Sequence, residues 1–471
     1  MREWDAFTAA AARPEPTVFR VRTGRVSEAE LVARLERQGF QLEPVAELPA
    51  FYRVLQEPHP VSMTLEHWAG LVYVQQASTG VAPSELGARP GERVLDLCSA
   101  PGGKATHLAE LMDDRGCLVA SEIDERRIRG LLGNVYRLGH PNVVAVACDG
   151  RKFPEGPLFD RVLVDAPCSG EGTLRRRSGD VPNQSTSFLG YVTGVQRALL
   201  EKAVRLCRPG GTILYVTCTF SPDENEAVVS DVLASCRVEL EPLRLGVPHA
   251  PGLTSFDGTA FDPRLEGAAR IYPHHLDSGG LFMAKLRRPE GDVAVESDAG
   301  WRPIPVSFPD GALPEDDARA LVAGALAAVS ERYGIPSNEL ERRGWIVRGG
   351  RIWLHSAGEW PLEAWAEGPW RPISVGVRAI EIDNRGRPRP TNDFLRLVGQ
   401  HVSRARVGLT AAQLSALLDG DAEPVAEEPL GPVALGFEGE VIGRGALTVR
   451  GLLSEIPRAR AAHLKRVLSG T

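Results

Sequence analysis

The chain has 471 residues, of which 43% are hydrophobic and 24% charged, with a formal net charge of −7. These are the proportions of a soluble globular protein too long for one ordinary domain, and the acidic balance argues against a uniformly basic nucleic-acid binder. No run approaches the roughly 18 apolar residues of a membrane span, and Met1 to Asp5 opens no charged-then-apolar signal segment, so a cytoplasmic protein is expected.

Residues 1–75 read as a small α/β accessory domain for RNA binding. Ser27 is suited to N-cap a helix from Glu28 to Gln38, with Glu30 placed as in a capping box, and Ala50 to Leu55 reads as a strand. Residues 76–288 alternate strand and helix. Short runs rich in Val, Leu and Ile (Arg93–Leu97, Leu118–Ser121, Val143–Ala147, Arg161–Val164, Ile213–Val216) are separated by helical patterns at Ala105–Met112, Glu125–Leu138, Gly194–Leu206 and Asp223–Cys236. That alternation predicts a parallel, doubly wound sheet, completed by strands near Ile271–Pro273 and Leu281–Ala284. The polar, Pro-containing stretch 289–305 reads as a linker. Residues 306–390 form a further small α/β region, whose helix starts at Pro314-Glu315-Asp316 and runs to about Val329. Short β runs follow at Trp345–Arg348 and Arg351–Leu354. Residues 391–471 are β-rich, with runs at Val433–Phe437 and Glu440–Gly443. Of the tryptophans Trp345, Trp353, Trp360, Trp365 and Trp370, most are expected in the core.

The seven cysteines (Cys98, Cys117, Cys148, Cys168, Cys207, Cys218, Cys236) are scattered singly. An odd count without Cys-x-x-Cys argues against disulfides and against a structural zinc site, so no metal is expected. The segment Asp96-Leu97-Cys98-Ser99-Ala100-Pro101-Gly102-Gly103-Lys104 joins a strand to a helix. Its glycines permit close backbone approach to a ligand, and the helix start offers free N–H groups. Glu122 ends the next strand, where an acid accepts from ribose hydroxyls, and Asp149 ends the third, within reach of an adenine amino group. The loop matches neither Gly-x-Gly-x-x-Gly nor a phosphate-binding loop. An adenosyl ligand without phosphates fits best, with S-adenosylmethionine the leading candidate.

Asp165-Ala166-Pro167-Cys168 and Thr217-Cys218-Thr219 each put a cysteine at a strand end. C5 of a pyrimidine is a poor nucleophile, and a thiolate adding to C6 makes it enamine-like. Cys168 and Cys218 are both thiol candidates. Asp165 is the candidate for contacting N3 and the exocyclic amine, holding a proton through burial.

These residues, with Ser169-Gly170-Glu171-Gly172, Tyr215 to Glu226, Tyr73 to Ser78, Arg270 to His274 and Gly280 to Ala284, resemble the Sun-type RNA cytosine-C5 methyltransferases. The resemblance covers roughly Leu71 to Leu286. It implies a class I methyltransferase (Rossmann-like) fold, with Cys218 the nucleophile and Cys168 assisting release. Cys98 to Lys104, Glu122, Asp149 and Asp165 would bind S-adenosylmethionine. The C-terminal third is more loosely similar to bacterial enzymes of the RsmF type, with a PUA-like RNA-binding end at Gly431 to Leu464. The implied activity is formation of 5-methylcytosine, with 16S rRNA the expected substrate and tRNA the alternative. A non-catalytic RNA-binding assembly factor is the alternative class, and a monomer is expected. Thr173 to Ser187 departs from the family pattern in being Arg-rich and then polar. Arg175 to Arg177 and Arg458 to Arg466 are the expected RNA contacts, with Arg126, Arg127 and Arg129 a third basic cluster.

Overall fold

The computed structural model describes residues 2–46, 48–156, 158–176, 185–291, 300–308, 313–361, 372–424 and 430–469. The chain opens with helix α1 (Arg2–Ala11), which the sequence reading does not contain. A four-stranded antiparallel sheet follows, built from β1 (Val18–Val21), β2 (Gln41–Pro44), β3 (Phe51–Gln56) and β4 (Val72–Val74) in the order β2-β3-β1-β4. Helix α2 (Glu28–Arg37) starts where Ser27 accepts from the Glu30 N–H. It buries Leu31 and Leu35 on Phe19, Val21 and Val54.

The central sheet carries the expected alternation. Helix α3 (Ala77–Leu86) leads into β5 (Arg93–Asp96), α4 (Gly103–Leu111), β6 (Cys117–Glu122), α5 (Glu125–Leu138) and β7 (Val143–Ala147). Then come β8 (Phe159–Asp165), α6 (Thr186–Leu206), β9 (Cys207–Thr217), α7 (Glu226–Ser235), β10 (Ala269–Ile271), α8 (Pro273–Leu276) and β11 (Leu281–Arg287). Val94, Leu95, Val119, Ala120, Val162, Leu163, Leu214 and Tyr215 have no exposed surface, as strands covered on both faces must. The strand order β9-β8-β5-β6-β7 is parallel throughout. The order reverses between β5 and β8, so the crevice above their carboxyl ends is the place for a ligand.

The sheet is mixed rather than purely parallel. β11 runs antiparallel to β9, and β10 antiparallel to β11. At the other edge β14 (Pro372–Val375) pairs antiparallel with β7. That strand comes from the region expected to stand apart at 306–390, and it covers an edge that would otherwise present unpaired backbone groups. The linker expectation also needs correction at its end. Residues 292–299 lie outside the described residues, but Trp301 is buried, donates from Nε1 to the Leu158 carbonyl at 3.1 Å, and meets Phe159 edge-on.

The C-terminal third holds helix α9 (Glu315–Tyr333), β12 (Gly344–Arg348) and β13 (Arg351–His355), followed, after β14, by β15 (Val377–Ile382), β16 (Pro388–Pro390) and α10 (Asn392–Leu397). It ends with β17 (Arg406–Gly408), β18 (Gly431–Phe437), β19 (Glu440–Thr448), β20 (Gly451–Ser454) and α11 (Arg458–Ser469). Two four-stranded sheets result, β12-β13-β15-β16 and β17-β18-β19-β20. Trp345, Trp353 and Trp360 are buried as expected; Trp365 and Trp370 lie outside the described residues. The two ends of the chain meet: Arg396 donates to the Trp68 carbonyl at 2.6 Å and His463 stands edge-on to the Trp68 ring. Among the described residues no helix is long and apolar enough to cross a membrane.

Candidate active site

The loop after β5 turns into α4 through Gly102, whose φ of 103° is left-handed and whose added Cβ would meet the Leu131 side chain at 2.9 Å. Glycine is therefore required there. Ser99 ties the loop to β6, donating from both its backbone N–H and its hydroxyl to the Ser121 carbonyl. Helix α5 holds it from the other side. Arg127 donates to the Ala100 carbonyl at 2.5 Å, and Asn134 to that of Pro101 at 2.9 Å. The loop and the ends of β6, β7 and β8 line a cleft of about 520 Å³. It contains Cys98, Glu122, Asp149, Asp165, Cys168 and Cys218, and is closed by Phe188, Tyr191, Val192 and Val195 of α6.

Glu122 is 2% exposed. One oxygen accepts from the Asp124 N–H at 2.9 Å, while the other accepts no hydrogen bond among the described residues and lies 3.4 Å from the Arg127 guanidinium. A buried carboxylate oxygen without a hydrogen bond has room for a donor beside its ion pair, and a ribose hydroxyl is one. Asp149 lines the same cleft, but both its oxygens accept from Arg151. An adenine amino group would therefore share this carboxylate with Arg151. Arg127, Asn134 and Arg151 are site residues the sequence reading did not single out for this cleft.

Lys104 reaches across to Asp165, with Nζ to Oδ2 at 2.7 Å. Burial works against the Lys104 charge, but Asp165 outweighs it and raises its pKa. Below them Asp96 is fully buried. One oxygen accepts from the Cys98 N–H at 3.2 Å and the other has no hydrogen-bond partner among the described residues. Burial and the neighbouring Asp165 push Asp96 up to about 8, so it carries its proton at neutral pH.

The sulfurs of Cys168 and Cys218 are 3.3 Å apart. Donation from the Cys168 thiol holds Cys218 below the usual thiol range against burial and Asp165, with Lys104 helping. The same bond, with burial, pushes Cys168 well up. The two shifts run in opposite directions, Cys218 down and Cys168 up, which makes Cys218 the more acidic thiol of the pair. Its geometry is set from behind by Glu224, fully buried, which accepts from the Ser169 N–H and from Gln196 of α6, both at 2.9 Å. Gln196 also donates to the Pro167 carbonyl at 2.8 Å, and Glu171 accepts from Thr219 and the Phe220 N–H. Gly172 and Gly280 allow the two loops to touch: a Cβ on Gly172 would lie 2.6 Å from the Gly280 carbonyl oxygen.

The basic clusters separate. The Arg175 side chain is 2% exposed and donates to the carbonyls of Arg13, Pro14 and Ser278 and to Asp277. It is a clamp between the chain start and the loop after α8, and the expectation that it touches RNA is wrong. Arg176 bonds Glu15, and Arg177 lies outside the described residues.

A family model described as 16S rRNA methyltransferase RsmB/F matches residues 84–287. Ribosomal RNA small subunit methyltransferase F of Aeromonas salmonicida is 30% identical over 96% of this chain and 92% of its own length. The chain belongs to the RsmB/F family. It is thereby an S-adenosylmethionine-dependent rRNA cytosine-C5 methyltransferase. A 25S rRNA (cytosine-C(5))-methyltransferase, nop2, from Schizosaccharomyces pombe is 34% identical over 60% of this chain and 48% of its own. A solved methyltransferase homolog from Pyrococcus horikoshii superposes with a TM-score of 0.54 at 35% identity, covering 60% of this chain and 90% of that one. Among the described residues no group of His, Cys, Asp and Glu is arranged to hold a metal ion.

Proposed function

We propose that this RsmB/F family member forms 5-methylcytosine in 16S rRNA with Cys218 as nucleophile. The observation that carries the assignment is the meeting of the two sulfurs at 3.3 Å in the cleft that Asp165 also lines. The Cys218 thiolate adds to C6 of the cytosine, and electron density moves to C5, which takes the methyl group. Loss of the C5 proton to a base then breaks the C6–sulfur bond and returns Cys218 as thiolate. Release falls to Cys168, whose sulfur lies beside the breaking bond. Asp165, fixed by Lys104, faces the same cleft and contacts N3 and the exocyclic amine of the base.

S-adenosylmethionine, when bound, supplies the methyl group. The buried Glu122 oxygen that accepts no hydrogen bond among the described residues fits its ribose. Cys98 to Lys104, Asp149 and Asp165 complete the residues that would hold it. The β-rich end from Gly431 to Leu464 serves as a PUA-like RNA-binding module, and residues 1–75 as a second RNA-binding domain.

The test is a denaturing gel for protein–RNA adducts, with wild type, Cys168→Ala and Cys218→Ala incubated with 16S rRNA and S-adenosylmethionine. Cys168→Ala is expected to accumulate an RNase-sensitive adduct and Cys218→Ala none. An adduct on Cys218→Ala would exchange the two roles.

A further inference from the structure

Helix α1 has no part in the chemistry above, yet it is fixed beside the nucleophile loop. Glu15, which follows it, accepts from Gln76, Arg176, the Ser278 hydroxyl and the Gly279 N–H, and Arg175 grips the Arg13 and Pro14 carbonyls. The anchoring brings Phe7 edge-on to Phe220 at 5.7 Å between centroids, to Tyr272 at 6.1 Å and to His274 at 6.4 Å. Phe220 is the second residue after Cys218 and packs at 5.6 Å on Tyr272. One turn of helix earlier, Trp4 stacks on Phe7 at 5.6 Å with planes 15° apart, and it is 67% exposed. Aromatic rings therefore run without a break from the residue beside the catalytic loop to an indole open to solvent.

We propose that this stair is a stacking platform for a single-stranded RNA nucleotide flanking the target cytosine, with Trp4 as its outer step. Single-stranded RNA is held by bases splayed onto aromatic faces, and Trp4 stands well outside the high average burial of tryptophan. The charges around it point to stacking rather than phosphate binding: Glu3 and Asp5 share the first turn with Trp4. The nearby Arg175 is consumed by its clamp. The contact thus contributes affinity that salt does not screen, and it rests on the substrate being RNA.

The experiment is fluorescence anisotropy of a labelled, cytosine-containing single-stranded RNA oligomer against the full chain, as wild type, Trp4→Ala and Trp4→Phe, over a series of salt concentrations. Trp4→Ala is expected to weaken binding about ten-fold at every salt concentration. The slope of log affinity against log salt should stay unchanged, and Trp4→Phe should keep most of the affinity. Wild type that does not bind the oligomer overturns the proposal. So does Trp4→Ala binding within about two-fold of wild type, or a loss accompanied by a shallower salt slope. Methyl transfer to 16S rRNA by the wild type is measured in parallel. Binding that depends on Trp4 without transfer to 16S rRNA would overturn the target assignment and leave the platform standing.

Discussion

The strand-end loops of the central sheet and the C-terminal sheets spend their polar groups differently. In the loops, buried polar side chains hold one geometry around two sulfurs: Glu224 takes Ser169 and Gln196, Glu171 takes Thr219 and Phe220, and Asp165 takes Lys104. In the C-terminal third the buried charges join parts of the molecule. Asp393 pairs with both Arg396 and Arg460, and Arg396 also reaches the Trp68 carbonyl near the other end of the chain. The first region is built for chemistry at a point and the second for holding domains in place. A substitution should therefore disturb catalysis and stability together in the first, and RNA affinity mildly in the second.

The largest effect is expected at Glu224. Glu224→Ala leaves the Ser169 N–H buried without an acceptor and takes from the Gln196 amide one of its two acceptors, which costs about 3 kcal/mol and loosens the Cys168 loop. Urea unfolding together with methyl transfer measures both, and a loss below about 1 kcal/mol would mean that the hub does not hold the site.

A smaller, pH-dependent effect is expected at Asp96. Unfolded, it ionises in the ordinary carboxylate range; folded, it keeps its proton until about pH 8. Its contribution to stability is full below the carboxylate range and is lost as pH rises through about 8, because unfolding in that window releases a proton. Asp96→Asn still accepts from the Cys98 N–H and should flatten the fall in Tm across that window. An unchanged pH profile would show that Asp96 is ionised in the folded protein.

The smallest effect tests the other region. Arg458 and Arg466 are exposed on α11, whereas Arg460 and Lys465 are engaged by Asp393 and Asp419. Reversing Arg458 and Arg466 to Glu should weaken rRNA binding a few-fold and lower the salt slope by about one to two. An unchanged slope would remove α11 from the RNA surface.

Much of the first region was legible because strand ends and motif cysteines coincide. Cys168 and Cys218 each follow an apolar run, and parallel strands bring such ends together. Gln196 was legible in principle, as a polar residue on an α6 face made of Val192, Leu199, Leu200 and Ala203. Glu224 lay inside a quoted motif without an assigned role. Arg175 misled because an arginine run looks the same whether it meets phosphate or backbone carbonyls; only the fold supplies the carbonyls of Arg13, Pro14 and Ser278. Helix α1 and strand β14 escaped because their partners lie some 200 residues away or more: Phe220 and Tyr272 for the helix, Val144 to Val146 for the strand. Local pattern carries no trace of such a pairing.

Strand β14 also bears on the order of events during synthesis. The strands of the catalytic sheet up to β11 are complete by residue 287, but β7 receives its outer neighbour only when Pro372 to Val375 have left the ribosome. Until then the nascent enzyme carries an unprotected sheet edge, the kind that recruits other chains. A recombinant catalytic fragment cut near residue 290 would keep that edge for life. It should aggregate more readily than a fragment that extends past β14.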